Sequence, residues 1–112
     1  RRVVFNVAIN NRDDHLRNHG FILNSSGWRL SPAFDLNPNI DKAEHALNLD
    51  IGDNRANLES VIATAQYYEL TQDQAVQIVS EILSVTRTWE AVAKNLAISR
   101  GDIELMRAAF QS

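Results

Sequence analysis

Apolar residues recur along this chain with two different spacings, and the change between them separates the predicted elements. The first ten residues place apolar side chains three and four positions apart, which predicts a helix. Its apolar face comprises Val3, Val4, Phe5, Val7, Ala8 and Ile9. The polar run of residues 10–18 interrupts this pattern, so a loop is predicted there.

A β-hairpin is predicted directly after this loop. Residues 20–23 and 28–30 are short apolar runs, and Asn24-Ser25-Ser26-Gly27 between them has the composition of a turn. Residues 31–38 are predicted to be irregular because they contain two prolines, each of which biases the preceding residue towards extended backbone. Alternation over residues 46–51 predicts one more short strand.

From about residue 57 the apolar spacing becomes helical. A first helix, ending near Tyr68, is predicted by one stripe: Leu58, Val61, Ile62 and Ala65. Thr71 and Gln74 have the spacing of a capping box, which predicts the start of a long helix with a core-facing stripe over six turns. That stripe is Ala75, Ile78, Val79, Ile82, Leu83, Val85 or Thr86, Trp89, Val92, Ala93 and Leu96. Ser99 is predicted to cap a last short helix over residues 102–110.

These elements predict a mainly α fold with a small β-hairpin, an α+β arrangement. The length of 112 residues predicts a single domain over residues 1–112. Within it, residues 1–54 would hold the loop, the hairpin and the segment that follows, and residues 55–112 a helical subdomain. Because the chain begins with Arg1 in an apparent helix, we expect it to be the C-terminal portion of a longer protein.

Composition excludes some classes of function. The chain has no cysteine, which rules out a cysteine nucleophile and thiolate metal sites. The net charge of −3 and the lack of a clustered Lys/Arg face predict no direct nucleic-acid binding. No apolar run approaches the roughly 18 residues of a membrane span, so a soluble, cytoplasmic protein without membrane contact is expected.

The candidate chemistry lies in the loop before the hairpin, where Asp13 precedes Asn18 in a D-x-x-x-x-N pattern. In phosphotransferase loops of this pattern the Asp accepts the proton of the substrate hydroxyl and the Asn holds a metal ion. A later Asp bridges metal and phosphate, and Asp35 follows at a suitable distance along the chain. His15 is interpreted as a hydrogen-bonded residue that stiffens the loop.

Two other classes of function stay open on this pattern. A metal-dependent phosphohydrolase could use Asp14 and His15 as an HD pair, although such sites recruit further histidines that are scarce here. A non-catalytic helical interaction module is the stronger rival, since a long amphipathic helix can face a partner. Other side chains are assigned plain roles: Asp14 as a solvated loop carboxylate and His19 as a residue without a function.

Residues 11–19 (NRDDHLRNH) and 28–36 (WRLSPAFDL) resemble the HipA-like serine/threonine kinases, the toxin component of bacterial HipA/HipB toxin–antitoxin pairs. The resemblance implies that this chain is part of the helical C-lobe of a protein-kinase-like fold, acting with ATP and Mg²⁺. It implies Asp13 as catalytic base, His15 as the residue ordering the catalytic loop, and Asn18 and Asp35 as magnesium ligands.

The resemblance further implies a HipB-like antitoxin as partner and a protein substrate connected with translation. The D-x-H-x-x-N form is also shared with lipid-kinase-like enzymes, so a lipid or small-molecule phosphotransferase stays open. The chain has no glycine-rich nucleotide loop and no lysine in a nucleotide-binding context. The nucleotide-binding residues are therefore unknown, and we expect this chain alone to have negligible kinase activity.

Overall fold

The fold is seen in a computed structural model, which describes residues 1–40 and 57–110. The helices of these residues are α1 (Arg2–Ala8), α2 (Leu58–Ala63), α3 (Gln72–Thr86), α4 (Trp89–Asn95) and α5 (Arg100–Met106). The strands are β1 (Phe21–Asn24) and β2 (Gly27–Leu30), and 3₁₀ turns cover Leu16–Asn18, Ala65–Tyr68 and Arg107–Ala109. The predicted mainly α fold with a small hairpin is confirmed. The strand predicted at residues 46–51 lies outside the described residues, and the single-domain division stays a prediction.

The core forms where α1 packs against α2 and α3. Its buried centre consists of Val4 and Val7 from α1, Val61 from α2 and Val79 from α3. Each of these valines belongs to a stripe predicted from spacing, because residues three or four apart share one face of a helix. Burial of these side chains stabilises the domain by roughly 1.5–3 kcal/mol each. The packing therefore holds α1, and the loop that leaves it, against the longest helix.

The hairpin forms as predicted, with a tighter turn than the four residues of turn composition suggested. Asn24 pairs with Gly27, which leaves only Ser25 and Ser26 in the turn. The Asn24 side-chain oxygen accepts a hydrogen bond from the Ser26 backbone at 2.9 Å, and Gly27 has a φ of 100° that other residues rarely adopt. Trp28, opposite Leu23, is 69% exposed, so it belongs to the hairpin and not to the core.

The start of α3 is confirmed as a capping box. The Thr71 hydroxyl accepts a hydrogen bond from the Gln74 backbone at 3.2 Å, and the Gln74 side chain accepts one from the Thr71 backbone at 2.9 Å. Two backbone N–H groups at the helix start are thereby satisfied, which contributes about 1 kcal/mol.

The single long helix reaching residue 96 is a wrong prediction, because α3 ends at Thr86 and α4 begins at Trp89. At the break the Thr88 hydroxyl donates to the Val85 carbonyl at 2.8 Å, and the Thr88 backbone N–H bonds the same carbonyl. Such bonds from threonine compete with the regular helical pattern. Of the predicted stripe, Thr86 is buried at the end of α3 and Trp89 and Ala93 are half-buried beyond the break, whereas Val92 and Leu96 are exposed.

The last segment folds back on α4. Ser99 caps α5 as predicted, since its hydroxyl accepts a hydrogen bond from the Asp102 backbone at 3.1 Å. The predicted helix over residues 102–110 is divided in the structure, with α5 followed by a 3₁₀ turn. Phe110 then stacks on Trp89, with ring centroids 4.3 Å apart and planes within 5°. This contact closes the C-terminal segment onto α4.

Candidate active site

The loop between α1 and β1 begins with a sharp change of backbone direction at Asn10. This residue has a φ of 50°, in the left-handed region that asparagine tolerates better than most residues. Its side-chain amide donates to the Ala109 carbonyl at 2.7 Å, and its backbone carbonyl accepts a hydrogen bond from the Asn39 backbone N–H at 3.1 Å. Asn10 therefore ties the start of the loop to the C-terminal 3₁₀ turn and to the segment after the hairpin.

Asp13 and Asn18 lie next to each other in the folded loop. The Asn18 side-chain nitrogen donates to the Asp13 carbonyl at 3.4 Å. Asp13 is exposed, whereas Asn18 is only 7% exposed. Because its amide nitrogen faces the loop backbone, the Asn18 side-chain oxygen is the atom that a metal ion would bind.

His15 contributes to the order of this loop through its backbone. Its carbonyl accepts a hydrogen bond from the Asn18 backbone at 2.8 Å, which forms the 3₁₀ turn Leu16–Asn18. The side chain is half-buried, and its Nδ1 atom has no hydrogen-bond partner within the described residues. The hydrogen bond expected of this side chain is therefore not made at Nδ1.

Asp35 lies on the irregular segment after the hairpin, as predicted, and is exposed. Its φ is 55°, and one carboxylate oxygen accepts a hydrogen bond from the Asn37 side chain at 2.8 Å. The segment is held near α1, because the Arg2 guanidinium donates to the Ser31 carbonyl at 2.5 Å. The hydrogen bond from Asn37 joins the Asp35 carboxylate to its own loop.

The predicted metal ligands suit magnesium by their chemistry. Asn18 and Asp35 offer one amide oxygen and one carboxylate, and Mg²⁺ is commonly held by one or two carboxylates together with waters and substrate phosphates. Across the part of the chain that the structure describes, no three His, Asp or Glu side chains form a group that could bind a metal ion.

The expectation that Asp14 is a solvated carboxylate is wrong, and His19, to which no function was assigned, is its hydrogen-bond partner. Asp14 is only 8% exposed. One of its oxygens accepts a hydrogen bond from the Asn6 side chain at 2.8 Å, and the other lies 2.8 Å from Nε2 of His19. Asn6 in turn accepts a hydrogen bond from the side chain of Asn11 at 3.1 Å. A buried polar network thus lies beneath the exposed Asp13.

One signal for this network was present in the sequence. Asn6 falls between Val3, Val4 and Val7, so a polar residue borders the apolar face of α1. A buried polar side chain needs a hydrogen-bond partner, and the nearest polar residues along the chain are those of the loop. The partners themselves, Asp14 and Asn11, could not be identified from spacing.

An apolar pocket of about 320 Å³ lies beside this network, between α1, α3 and the hairpin. His19 and Leu30 line the side that faces the loop and hairpin, and valines of the core line the opposite side. Asp13, Asn18 and Asp35 are not among its lining residues. The pocket is therefore separate from the candidate chemistry.

The helices within residues 1–40 and 57–110 lack the combination of length and apolar character needed to cross a lipid bilayer. In comparisons with known proteins, the family model described as "HipA-like C-terminal domain" matches residues 1–89. No curated protein and no solved structure matches the chain significantly. The matched range contains the loop, the hairpin, α2 and α3, whereas α5 and the C-terminal 3₁₀ turn lie beyond it.

Proposed function

Because the chain belongs to the family of HipA-like C-terminal domains, we propose that it carries the catalytic loop of a serine/threonine-protein kinase. The family is associated with kinases and with toxin–antitoxin pairs. The reaction would transfer the γ-phosphate of ATP to a hydroxyl group of a protein, releasing ADP. Lipid or small-molecule substrates are the alternative within the same chemistry.

The observation that carries this proposal is the arrangement of Asp13 over Asn18. An exposed carboxylate can meet a substrate hydroxyl, while the neighbouring amide of Asn18 is buried, with its nitrogen 3.4 Å from the Asp13 carbonyl oxygen. A base on the surface beside an amide-oxygen ligand suits phosphoryl transfer, since this reaction depends on positioning and charge stabilisation.

Each residue has one step in the proposed mechanism. Asp13 would accept the proton of the substrate hydroxyl as the oxygen attacks the γ-phosphorus and the bond to the β-phosphate oxygen breaks. Asn18 and Asp35 would hold Mg²⁺, which when bound neutralises charge on the phosphate oxygens. His15 would keep the loop in its turn through the bond from its carbonyl to the Asn18 backbone.

The rest of the biology is proposed from the family alone. We propose a HipB-like antitoxin as partner, a substrate connected with translation, and a cytoplasmic location. The printed sequence lacks a nucleotide-binding motif, so transfer would need residues outside it, and this chain by itself should be inactive.

The test is magnesium-dependent transfer of labelled γ-phosphate from ATP by the full-length protein and its variants. Asp13→Asn should lower transfer by roughly 10²–10⁴-fold, the usual contribution of a general base, with little change in volume or stability. Asp35→Asn should raise the magnesium concentration needed for half activity. Asp73→Asn is the matched control, because Asp73 is exposed in the first turn of α3 and should leave transfer unchanged.

Retained activity in Asp13→Asn would contradict the assignment of the base. A folded wild type that binds nucleotide but transfers no phosphate would instead favour the helical interaction module. That rival gains support from exposed apolar side chains on the hairpin and on α4, including Phe21, Trp28 and Val92. Large exposed apolar groups of this kind are common at protein–protein contacts.

A further inference from the structure

Asp14 and His19 stand on the two sides of the catalytic loop, each directly after a residue of the proposed chemistry. Asp14 follows Asp13, and His19 follows Asn18. Their side chains meet with 2.8 Å between the Asp14 carboxylate and Nε2 of His19. This contact between two side chains joins the start of the loop to its end, so the positions of Asp13 and Asn18 relative to each other depend on it.

The closed loop is also attached to the core. The second oxygen of Asp14 accepts a hydrogen bond from Asn6, which is 2% exposed on α1. The neighbouring Val7 is fully buried in the core formed with α2 and α3. The Asn11 side chain donates to the Asn6 side chain, and the Asn11 backbone N–H donates to the Asn6 backbone carbonyl at 2.8 Å. The start of the loop is therefore also held by Asn6.

We propose that Asp14 and His19 form a clamp that positions Asp13 and Asn18 for phosphoryl transfer. This inference rests on the proposed function for its catalytic consequence. Asp14 and His19 are positioning residues, since they act through Asp13 and Asn18 and the proposed reaction does not require them to touch substrate.

The physical basis is the burial of Asp14. A carboxylate removed from water is costly unless hydrogen-bond donors replace the lost water, and here two donors do so. Without the His19 donor, the loop conformation that buries Asp14 is disfavoured relative to one that returns the carboxylate to water. Opening the loop in that way would move Asp13 and Asn18, because each is the direct chain neighbour of one clamp residue.

The test compares three variants of the full-length protein with the wild type. His19→Leu removes the donor, and His19→Gln keeps a side-chain N–H at a similar reach. Asp14→Ala removes the acceptor and keeps the inference testable if one His19 variant folds poorly. Asp73→Asn is again the control, and far-UV circular dichroism with thermal unfolding checks that every variant is folded at the assay temperature.

Two readouts are measured on each variant. Amide hydrogen exchange reports loop order directly, through the Asn18 N–H bonded to His15 and the His19 N–H bonded to Leu16. Phosphate transfer gives kcat, the KM for ATP and the magnesium concentration for half activity. A merely structural loss of folded protein would lower kcat alone and would leave the magnesium dependence unchanged.

In His19→Leu and Asp14→Ala we expect exchange at residues 18 and 19 to accelerate about tenfold or more, with α3 amides unchanged. We expect kcat to fall at least about tenfold, the magnesium requirement to rise and the KM for ATP to stay within about twofold. His19→Gln should recover most of the protection from exchange and most of the kcat.

Wild-type exchange rates at residues 18 and 19 in the disrupted variants would overturn the clamp, whatever their activity. Faster exchange with activity within about twofold of wild type would overturn its positioning role. If the wild type itself transfers no phosphate while exchange accelerates as expected, the proposed function fails and the clamp stands as the device that orders this loop.

Discussion

Asn10 offers the sharpest test of how the candidate loop is held, because one residue combines a left-handed backbone with a hydrogen bond across the fold. Its φ is 50°, and its side chain donates to the carbonyl of Ala109 at 2.7 Å and weakly to that of Ala108 at 3.4 Å. Asn10 is 7% exposed and Ala109 is fully buried. Water is therefore poorly placed to replace the lost donor.

Replacing Asn10 with alanine removes the side-chain hydrogen bonds, to the Ala109 carbonyl and from the Arg12 guanidinium, and leaves an alanine in a left-handed backbone. The left-handed backbone costs an alanine roughly 1 kcal/mol, and a buried carbonyl deprived of its donor costs about 1–3 kcal/mol. Asn10→Ala should thus lower the free energy of unfolding by about 2–4 kcal/mol. Asn10→Gly removes the same side-chain hydrogen bonds without the backbone cost, since glycine adopts this backbone freely, and should be about 1 kcal/mol more stable than the alanine variant.

The assay is equilibrium urea unfolding of the full-length protein and both variants, followed by circular dichroism. Asn95→Ala is the control, because Asn95 is exposed at the end of α4 and its replacement should change stability by less than about 0.5 kcal/mol. A glycine variant no more stable than the alanine variant would refute the backbone argument. An alanine variant within about 0.5 kcal/mol of wild type would refute both arguments.

Two further predictions concern the C-terminal segment. Ala97 has a φ of 57° after α4, where its N–H donates to the Lys94 carbonyl and the Ile98 N–H donates to the Ala93 carbonyl. Glycine favours a helix end of this kind, so Ala97→Gly should raise the free energy of unfolding by about 1 kcal/mol in the same urea assay. A loss of stability would contradict this prediction. The Arg107 guanidinium, hydrogen-bonded to Glu90 at 2.7 Å, lowers the pKa of that carboxyl below 4.5. Because the folded pKa is the lower one, the ion pair stabilises the fold above pH 4.5 and the contribution is lost as pH falls through the folded value. Glu90→Gln should therefore melt below wild type at pH 7 with the gap closing in acid, and a gap independent of pH would count against the ion pair.

Local features of the fold were predictable because their causes lie within a few residues. The capping box of Thr71 and Gln74, the cap at Ser99 and the turn between the strands each depend on side chains that bond their own neighbouring backbone. The family match over residues 1–89 likewise confirms the resemblance that was recognised from residues 11–19 and 28–36. The roles of Asp13, His15, Asn18 and Asp35 stay predictions.

The break between α3 and α4 was missed for a physical reason. The apolar spacing continues through residues 85–96 as it would in one helix, and neither glycine nor proline marks the boundary. The threonine hydroxyls that bond the preceding turn interrupt the helix without changing the apolar pattern. Val92 in α4 and Leu96 directly after it are exposed, which spacing alone does not report.

The sequence by itself determined the first helix, the hairpin, the capping residues and the motif that places Asp13 five positions before Asn18. Only the tertiary structure decided that Asp14 is buried against His19 and Asn6, and that Asn10 reaches Ala109. Periodicity reports which face of an element is apolar, because that depends on backbone geometry alone. The partner of a buried polar group depends on which segments the packing brings together, so it becomes visible only when the chain is folded.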